Sequence, residues 1–287
     1  MESSVSGPER ILIQVVRLLL QPGRLVLAAL RRLPVGSHAL RGALDLYPRP
    51  HYAYGVQQAA VLARRLGIPR ISVVEFGVAG GAGLVEMDRM ARLATADTGV
   101  AIDVYGFDTG RGLPKPTDYR DLPYTWREGD FVMDHEALRA RLPQAELVLG
   151  DIRETVPSFL QAHDPAPIGF VSIDVDYYSS TAATLRLFDG DHGHFMPRVF
   201  CYLDDIVGDE DQVVHSDYVG ELAGVREFNE ANDAMKLSPI NGLRHKRAVP
   251  APWNDLIYVL HRFEHPDYGT YVGREHAETQ LPLDARP

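Results

Sequence analysis

The sequence predicts an open, doubly wound α/β sheet, mostly parallel, with helices on both faces. Three observations predict it. From residue 53 onward, short β-branched runs alternate with segments whose apolar residues recur at helical spacing. The strand-like runs are apolar at consecutive positions, as strands buried on both faces are. Five of them end on acidic residues, where sheets of this kind bind ligands.

The elements follow in order. Residues 56–66 (VQQAAVLARRL) repeat apolar positions helically and stop at Gly67-Ile68-Pro69. Ile71–Phe76 is a buried strand, Gly77–Gly83 a glycine-rich turn, and residues 84–95 a helix. Val100–Phe107 is the second strand. Residues 109–134 form a long Pro/Gly/Tyr/Trp loop, a length that suggests function. Helix Asp134–Leu142, strand Ala145–Leu149, helix Val156–Ala162 and strand Ile168–Ile173 follow, then helix Ser179–Phe188 and strand Val199–Leu203. Residues 217–235 are expected to be helical, and Asp255–Phe263 a strand paired with Thr270–Val272. The domain boundaries expected are 1–52 for a helical extension, 53–273 for the main domain and 274–287 for a tail.

Composition narrows the function. The 287 residues are 45% hydrophobic and 24% charged, which excludes a disordered or fibrous chain. One cysteine, Cys201, allows neither an intramolecular disulfide nor a cysteine zinc site, and a cytoplasmic location fits best. Cys201 is expected to be an inert strand residue. A net charge of −10 argues against a nucleic-acid partner. The charge is uneven: residues 1–70 hold ten arginines, no lysine and three acids, a balance of +7 that leaves −17 on the rest. ILIQVVRLLL (11–20) and LVLAAL (25–30) predict two short amphipathic helices parted at Pro22-Gly23. Arg17 and that break rule out stable membrane insertion, and Glu2 and Glu9 do not suit a signal peptide. The helices are expected to pack on the main domain or on a second copy in a homo-oligomer, with attachment to a membrane surface as the alternative.

The strand ends carry the chemistry. Glu75 precedes Gly77-Val78-Ala79-Gly80-Gly81, a loop that lets backbone approach a ligand, although Ala79 breaks the G-x-G-x-x-G pattern. Asp108 stands where a nucleoside ribose is gripped. Asp151 can accept from an adenine amino group with Ile152 packed on the ring, or it can cap the following helix, as Glu154 three residues on suggests. Asp174, Asp204 and Asp205 lie at two neighbouring strand ends. Three carboxylates brought together suit a hard divalent cation such as Mg²⁺ or Mn²⁺, or Fe. Asp176 is a further ligand, a base or a helix cap.

Taken together, EFGVAGGAG, YGFDTGRGLP, LGDIRETVPSFL, SIDVDYYSST and YLDDI resemble class I S-adenosylmethionine-dependent methyltransferases, and more narrowly the macrocin O-methyltransferase family. The resemblance spans roughly residues 50–263. It implies a Rossmann-like methyltransferase sheet. It implies that Glu75 and the Gly77–Gly81 loop hold the methionine part of S-adenosyl-L-methionine, Asp108 the ribose and Asp151 the adenine. It also implies that Asp174, Asp204 and Asp205 hold Mg²⁺, that the acceptor is a hydroxyl of a small metabolite or glycosylated natural product, and that the protein is oligomeric. The lysine that catechol O-methyltransferase carries three residues after its first metal-binding aspartate is Tyr177 here.

The general base is sought first at His215, in the loop after the metal-site strand, then at Tyr177 and His261. Trp126, Tyr119 and Tyr124 are expected to close over the acceptor or to pin their loop. His192 and His194, with Asp189 and Asp191, are expected to lie in a solvent loop rather than form a second metal site. Alternative functions are metal-independent methylation of a carboxylate, nitrogen or carbon, a non-catalytic cofactor-binding regulator, and, more distantly, an NAD-dependent oxidoreductase.

Overall fold

The computed structural model describes residues 22–33, 36–208 and 215–273. The expected helix at 11–20 and the 274–287 tail lie outside them. Seven strands form one sheet in the order β3-β2-β1-β4-β5-β7-β6: β1 Arg70–Phe76, β2 Ala101–Asp108, β3 Glu146–Leu149, β4 Ile168–Ile173, β5 Phe195–Leu203, β6 Met235–Pro239 and β7 Ile257–Arg262. Strands β1 to β5 are mutually parallel, and β7 runs antiparallel to both β5 and β6. The order reverses direction at β1/β4, so the carboxyl ends of β1, β2, β4 and β5 open a crevice there.

Burial explains the consecutive apolar runs. Every residue of β4 is buried, as is every residue of β1 after Arg70. Helices α3 (Pro50–Leu66) and α4 (Ala82–Thr98) pack against each other and the central strands. Gly55 lets α3 approach the sheet, since a Cβ there would stand 2.2 Å from the Phe170 ring. A second group, α6 (Ile152–His163), α7 (Tyr178–Leu185) and α8 (Gly220–Ala231), packs together in turn. Two short helices, α1 (Pro22–Arg32) and α2 (His38–Ala43), precede α3, and a third, α5 (His135–Arg139), lies between β2 and β3. Pro22 starts α1 rather than merely ending what precedes it, since a helix tolerates proline in its first turn. Asp45, buried at φ +53°, ties this region to the far end of the chain, accepting from Arg247 (2.5 Å) and the Trp253 indole N–H (3.0 Å).

Three expectations are corrected. The helix expected over 217–235 ends at Ala231, and Met235–Pro239 forms an edge strand. That strand, not Thr270–Val272, pairs with β7, with Leu237 opposite Leu260. The Asn229 amide takes the place of a further strand at this edge, accepting from Leu237 N–H (2.7 Å) and donating to Leu237 C=O (2.8 Å). Strand β5 starts four residues early, at Phe195, because a register shift between Ile168 and Phe170 accommodates Pro197, which lacks an N–H. Among the described residues, no helix is long and apolar enough to cross a membrane.

Candidate active site

The first strand end is built around two glycines. Gly77 turns the chain at φ +86°, and a Cβ on it would stand 1.6 Å from the Asp174 carbonyl oxygen. A Cβ on Gly83 would stand 1.9 Å from Glu75 Oε1. Ala79, which breaks the glycine pattern, adopts φ +45°. The cost of that left-handed turn is offset by Asp108, whose Oδ2 accepts from Val78 N–H (3.0 Å) and Ala79 N–H (2.8 Å). Its Oδ1 accepts from Gly110 N–H at 2.6 Å. Asp108 thus ties the loops after β1 and β2 together, and little of its accepting capacity is left for a ribose.

Glu75 is fully buried at the cavity wall. Its Oε1 accepts from the Tyr52 hydroxyl (2.6 Å), which accepts in turn from Ser172 Oγ (3.0 Å). Its Oε2 has no partner. Burial pushes the carboxyl up to about 8, against the lowering effects of the Tyr52 hydrogen bond and the Arg49 charge.

The acidic cluster forms where β4 and β5 end side by side, Ile173 opposite Leu203. One carboxylate oxygen each from Asp174, Asp204 and Asp205 lies within 4.8 Å of the others. Tyr202 donates to Asp204 Oδ1. Asp176, at φ +59°, donates its N–H to Asp205 Oδ2 (3.1 Å). Beneath them sits Glu221, whose two oxygens accept from Val175 N–H and Asp205 N–H, both at 3.3 Å. Burial, reinforced by neighbouring carboxylates, raises Asp174 and Glu221 well above the usual range, Asp205 to about 7 and Asp176 to about 8. Among the described residues no arginine or lysine forms an ion pair with Asp174, Asp204 or Asp205. An all-oxygen donor set, crowded and without a paired cation, fits a hard divalent metal.

A cavity of about 420 Å³ brings together Glu75, Gly77, Val78, Ala79, Gly80, Gly81, Asp108, Asp151, Ile152 and the three clustered aspartates. Asp151 also caps α6, accepting from Arg153 N–H (2.9 Å) and from the Arg153 guanidinium. Trp126 and Phe131 form part of the wall, in edge contact with each other. Tyr119 and Tyr124 do not line it and are 70% and 65% exposed.

None of the three expected bases lines the cavity. His215 lies against Gly220, where a Cβ would come 3.2 Å from its Nδ1. Tyr177 is fully buried at the N-cap of α7, and burial and nearby acids push its phenol up to about 12. His261 belongs to the antiparallel β7 and sits opposite Arg198, about 16 Å down β5 from the acidic end at the usual strand rise. Its Nδ1 meets the Tyr268 hydroxyl at 2.8 Å. His192 and His194 occupy a short turn before β5, at the same remote end, and His192 contacts His265 edge-on. Among the described residues they do not join a metal-ligand cluster. Cys201 is buried, and burial raises its thiol.

Sequence reasoning missed Arg49, which lines the cavity, Tyr52, which holds Glu75, and Glu221, which braces the acid cluster. Glu221 left one signal, a glutamate on the apolar face of the Gly220–Ala231 helix.

No protein-family model matches the sequence, and no curated protein sequence matches it. Solved structures do. A crystal structure of CalS11, a calicheamicin methyltransferase, is 22% identical with a TM-score of 0.50, covering 82% of this chain and 89% of that one. An apo structure of CalS11, described as a TDP-rhamnose 3′-O-methyltransferase of calicheamicin biosynthesis, is 21% identical with a TM-score of 0.43, covering 90% and 95%. TomG, an O-methyltransferase of Streptomyces achromogenes involved in tomaymycin synthesis and solved with S-adenosylmethionine, is 16% identical with a TM-score of 0.40, covering 72% and 78%. The first of these shows that the chain shares the fold of CalS11, a Rossmann-like α/β sheet of the kind the sequence resemblance implied.

Proposed function

We propose that this protein is an S-adenosylmethionine-dependent, divalent-metal-assisted O-methyltransferase acting on a hydroxyl of a small metabolite or glycosylated natural product. The observation that carries it is the convergence of the glycine loop and the Asp174/Asp204/Asp205 cluster on one cavity. CalS11, the calicheamicin methyltransferase that shares this fold, supports the reading.

When bound, the cofactor supplies a methyl group on a sulfonium, and the cation lowers the pKa of the acceptor hydroxyl. The residues do the rest. Glu75 Oε2 and the Gly77–Gly81 backbone hold the amino-acid end of the cofactor, and Asp151 and Ile152 flank its far end. Asp174, Asp204 and Asp205 hold the metal, and Glu221 fixes the Asp205 backbone from behind. Asp176 takes the role sought at His215, Tyr177 and His261. It lines the cavity, its backbone is locked by Asp205, and it can accept the proton of the acceptor hydroxyl. Trp126 and Phe131 offer apolar surface to the acceptor and exclude water.

One observation favours metal-independent transfer. The Arg49 guanidinium, close enough for the charges of Asp174 and Asp204 to act on it, offers these acids a cation already in the protein. The deciding experiment is a calorimetric titration of Mg²⁺ into chelator-stripped protein saturated with S-adenosylhomocysteine, paired with turnover of Asp204→Asn. Saturable binding lost together with turnover supports the metal-assisted route. Full turnover in chelator rejects it.

A further inference from the structure

Arg49 and Glu75 are both held by Tyr52, and neither is spent. Tyr52 donates to Glu75 Oε1 at 2.6 Å, and the Arg49 guanidinium lies over the Tyr52 ring, 5.4 Å from its centroid. Glu75 Oε2 is buried without a partner. Arg49 precedes Pro50 at the start of α3, which disfavours helical geometry for its backbone, and its side chain makes no cap hydrogen bond. Among the described residues its guanidinium forms neither an ion pair nor a hydrogen bond. Burial lowers its proton affinity, but the fields of Tyr52, Glu75, Asp174 and Asp204 outweigh this. Both side chains line the same cavity.

A charged guanidinium and a carboxylate oxygen, both unpartnered and braced by one tyrosine, complement a zwitterion. We propose that Arg49 is the subsite for the α-carboxylate of the cofactor's amino-acid end, with Glu75 taking the α-ammonium beside it. This rests on the cofactor reading above. The planar fork of an arginine suits a carboxylate, and charge-assisted bonds in a half-buried site are the stronger kind. Arg49 is thereby a positioning residue. It fixes the amino-acid end and so the direction in which the sulfonium methyl points, and it takes no part in bond making. A counter-ion role would instead aim Arg49 at the three aspartates, but no ion pair joins it to any of them.

The test uses the full chain and three probes: S-adenosylhomocysteine, its decarboxylated analogue, and methylthioadenosine, which lacks the whole amino-acid end. The wild type should bind S-adenosylhomocysteine more tightly than the decarboxylated analogue by about tenfold or more. In Arg49→Met that preference should vanish, because only S-adenosylhomocysteine weakens, while the other two affinities hold. Arg49→Lys should restore part of it. Retention of the wild-type preference in Arg49→Met overturns the assignment. So does equal weakening of all three probes, or a change confined to Mg²⁺ affinity, which would make Arg49 a counter-ion of the acid cluster. Failure of the wild type to bind any of the probes overturns the cofactor reading itself, an outcome distinct from these.

Discussion

Asp121 caps a helix from 58 residues back: its carboxylate accepts from the backbone N–H (2.8 Å) and hydroxyl (3.0 Å) of Ser179, in the first turn of α7. Tyr177 at the N-cap position offers no side-chain bond there, so a residue of the long 109–134 loop substitutes for it. Asp121 also accepts from Thr117 N–H and Oγ1 and is fully buried. The loop is therefore pinned by a carboxylate, while Tyr119 and Tyr124 stand out in solvent. Asp121→Ala should cost about 2 kcal/mol of unfolding free energy, through lost cap and orphaned donors. Tyr119→Ala should cost less than about 0.5 kcal/mol. Urea denaturation of both variants compares them directly.

Gly77 admits no side chain. Gly77→Ala must displace the Asp174 carbonyl, and it also forces a Cβ into the left-handed region. We expect a lower Tm together with loss of S-adenosylhomocysteine binding by about tenfold or more. Gly193→Ala, at a position with open space in the turn before β5, should do neither.

The metal-free protein should lose stability as pH rises. Glu75, Asp176 and Asp205 have folded-state values of about 8, 8 and 7, above those of the unfolded chain. Folding therefore favours their protonated forms. The stability this provides is complete below about pH 4 and is lost as pH climbs through 7 to 8. Thermal scans in chelator should show Tm falling from pH 5 to pH 8, and Asp205→Asn should flatten the slope. A Tm that rises steadily over that range would contradict the prediction.

Glu221 should matter to the metal and not to the cofactor. It touches the Val175 and Asp205 backbone, directly behind the three aspartates. Glu221→Gln should weaken Mg²⁺ binding about tenfold with S-adenosylhomocysteine affinity unchanged. Calorimetry on the same sample reads both.

Proton removal should depend on Asp176. Once an acceptor is in hand, Asp176→Asn should lower kcat by about 10²-fold or more. His261→Ala, at the other end of the sheet, should leave kcat within about twofold. A reversal of these two results would return the base to the histidines.

The parallel part of the fold was legible because burial writes itself as consecutive apolar residues, as in Ile168–Ile173. The acids at the strand ends were legible for the same reason, since the strands locate them. The antiparallel edge was not. Met235–Pro239 is short and half exposed, so its pattern merges with that of the helix before it. The place of His261 was not legible either, because only the direction of β7 shows which end of the sheet the histidine occupies. Arg49 and Tyr52 escaped notice because they belong to a helix start. Nothing in their spacing reports that the first turn of α3 meets the carboxyl ends of β1 and β4.

The pairing of the Asn229 amide with Leu237 reaches beyond local order. An uncapped sheet margin is a template on which a partly folded copy can polymerise. Here one donor and one acceptor of that margin are already taken by a side chain from the preceding helix. Colloidal behaviour at high concentration should therefore depend on a residue far from any chemistry. An assembly that extended the sheet along this strand would first have to displace that amide.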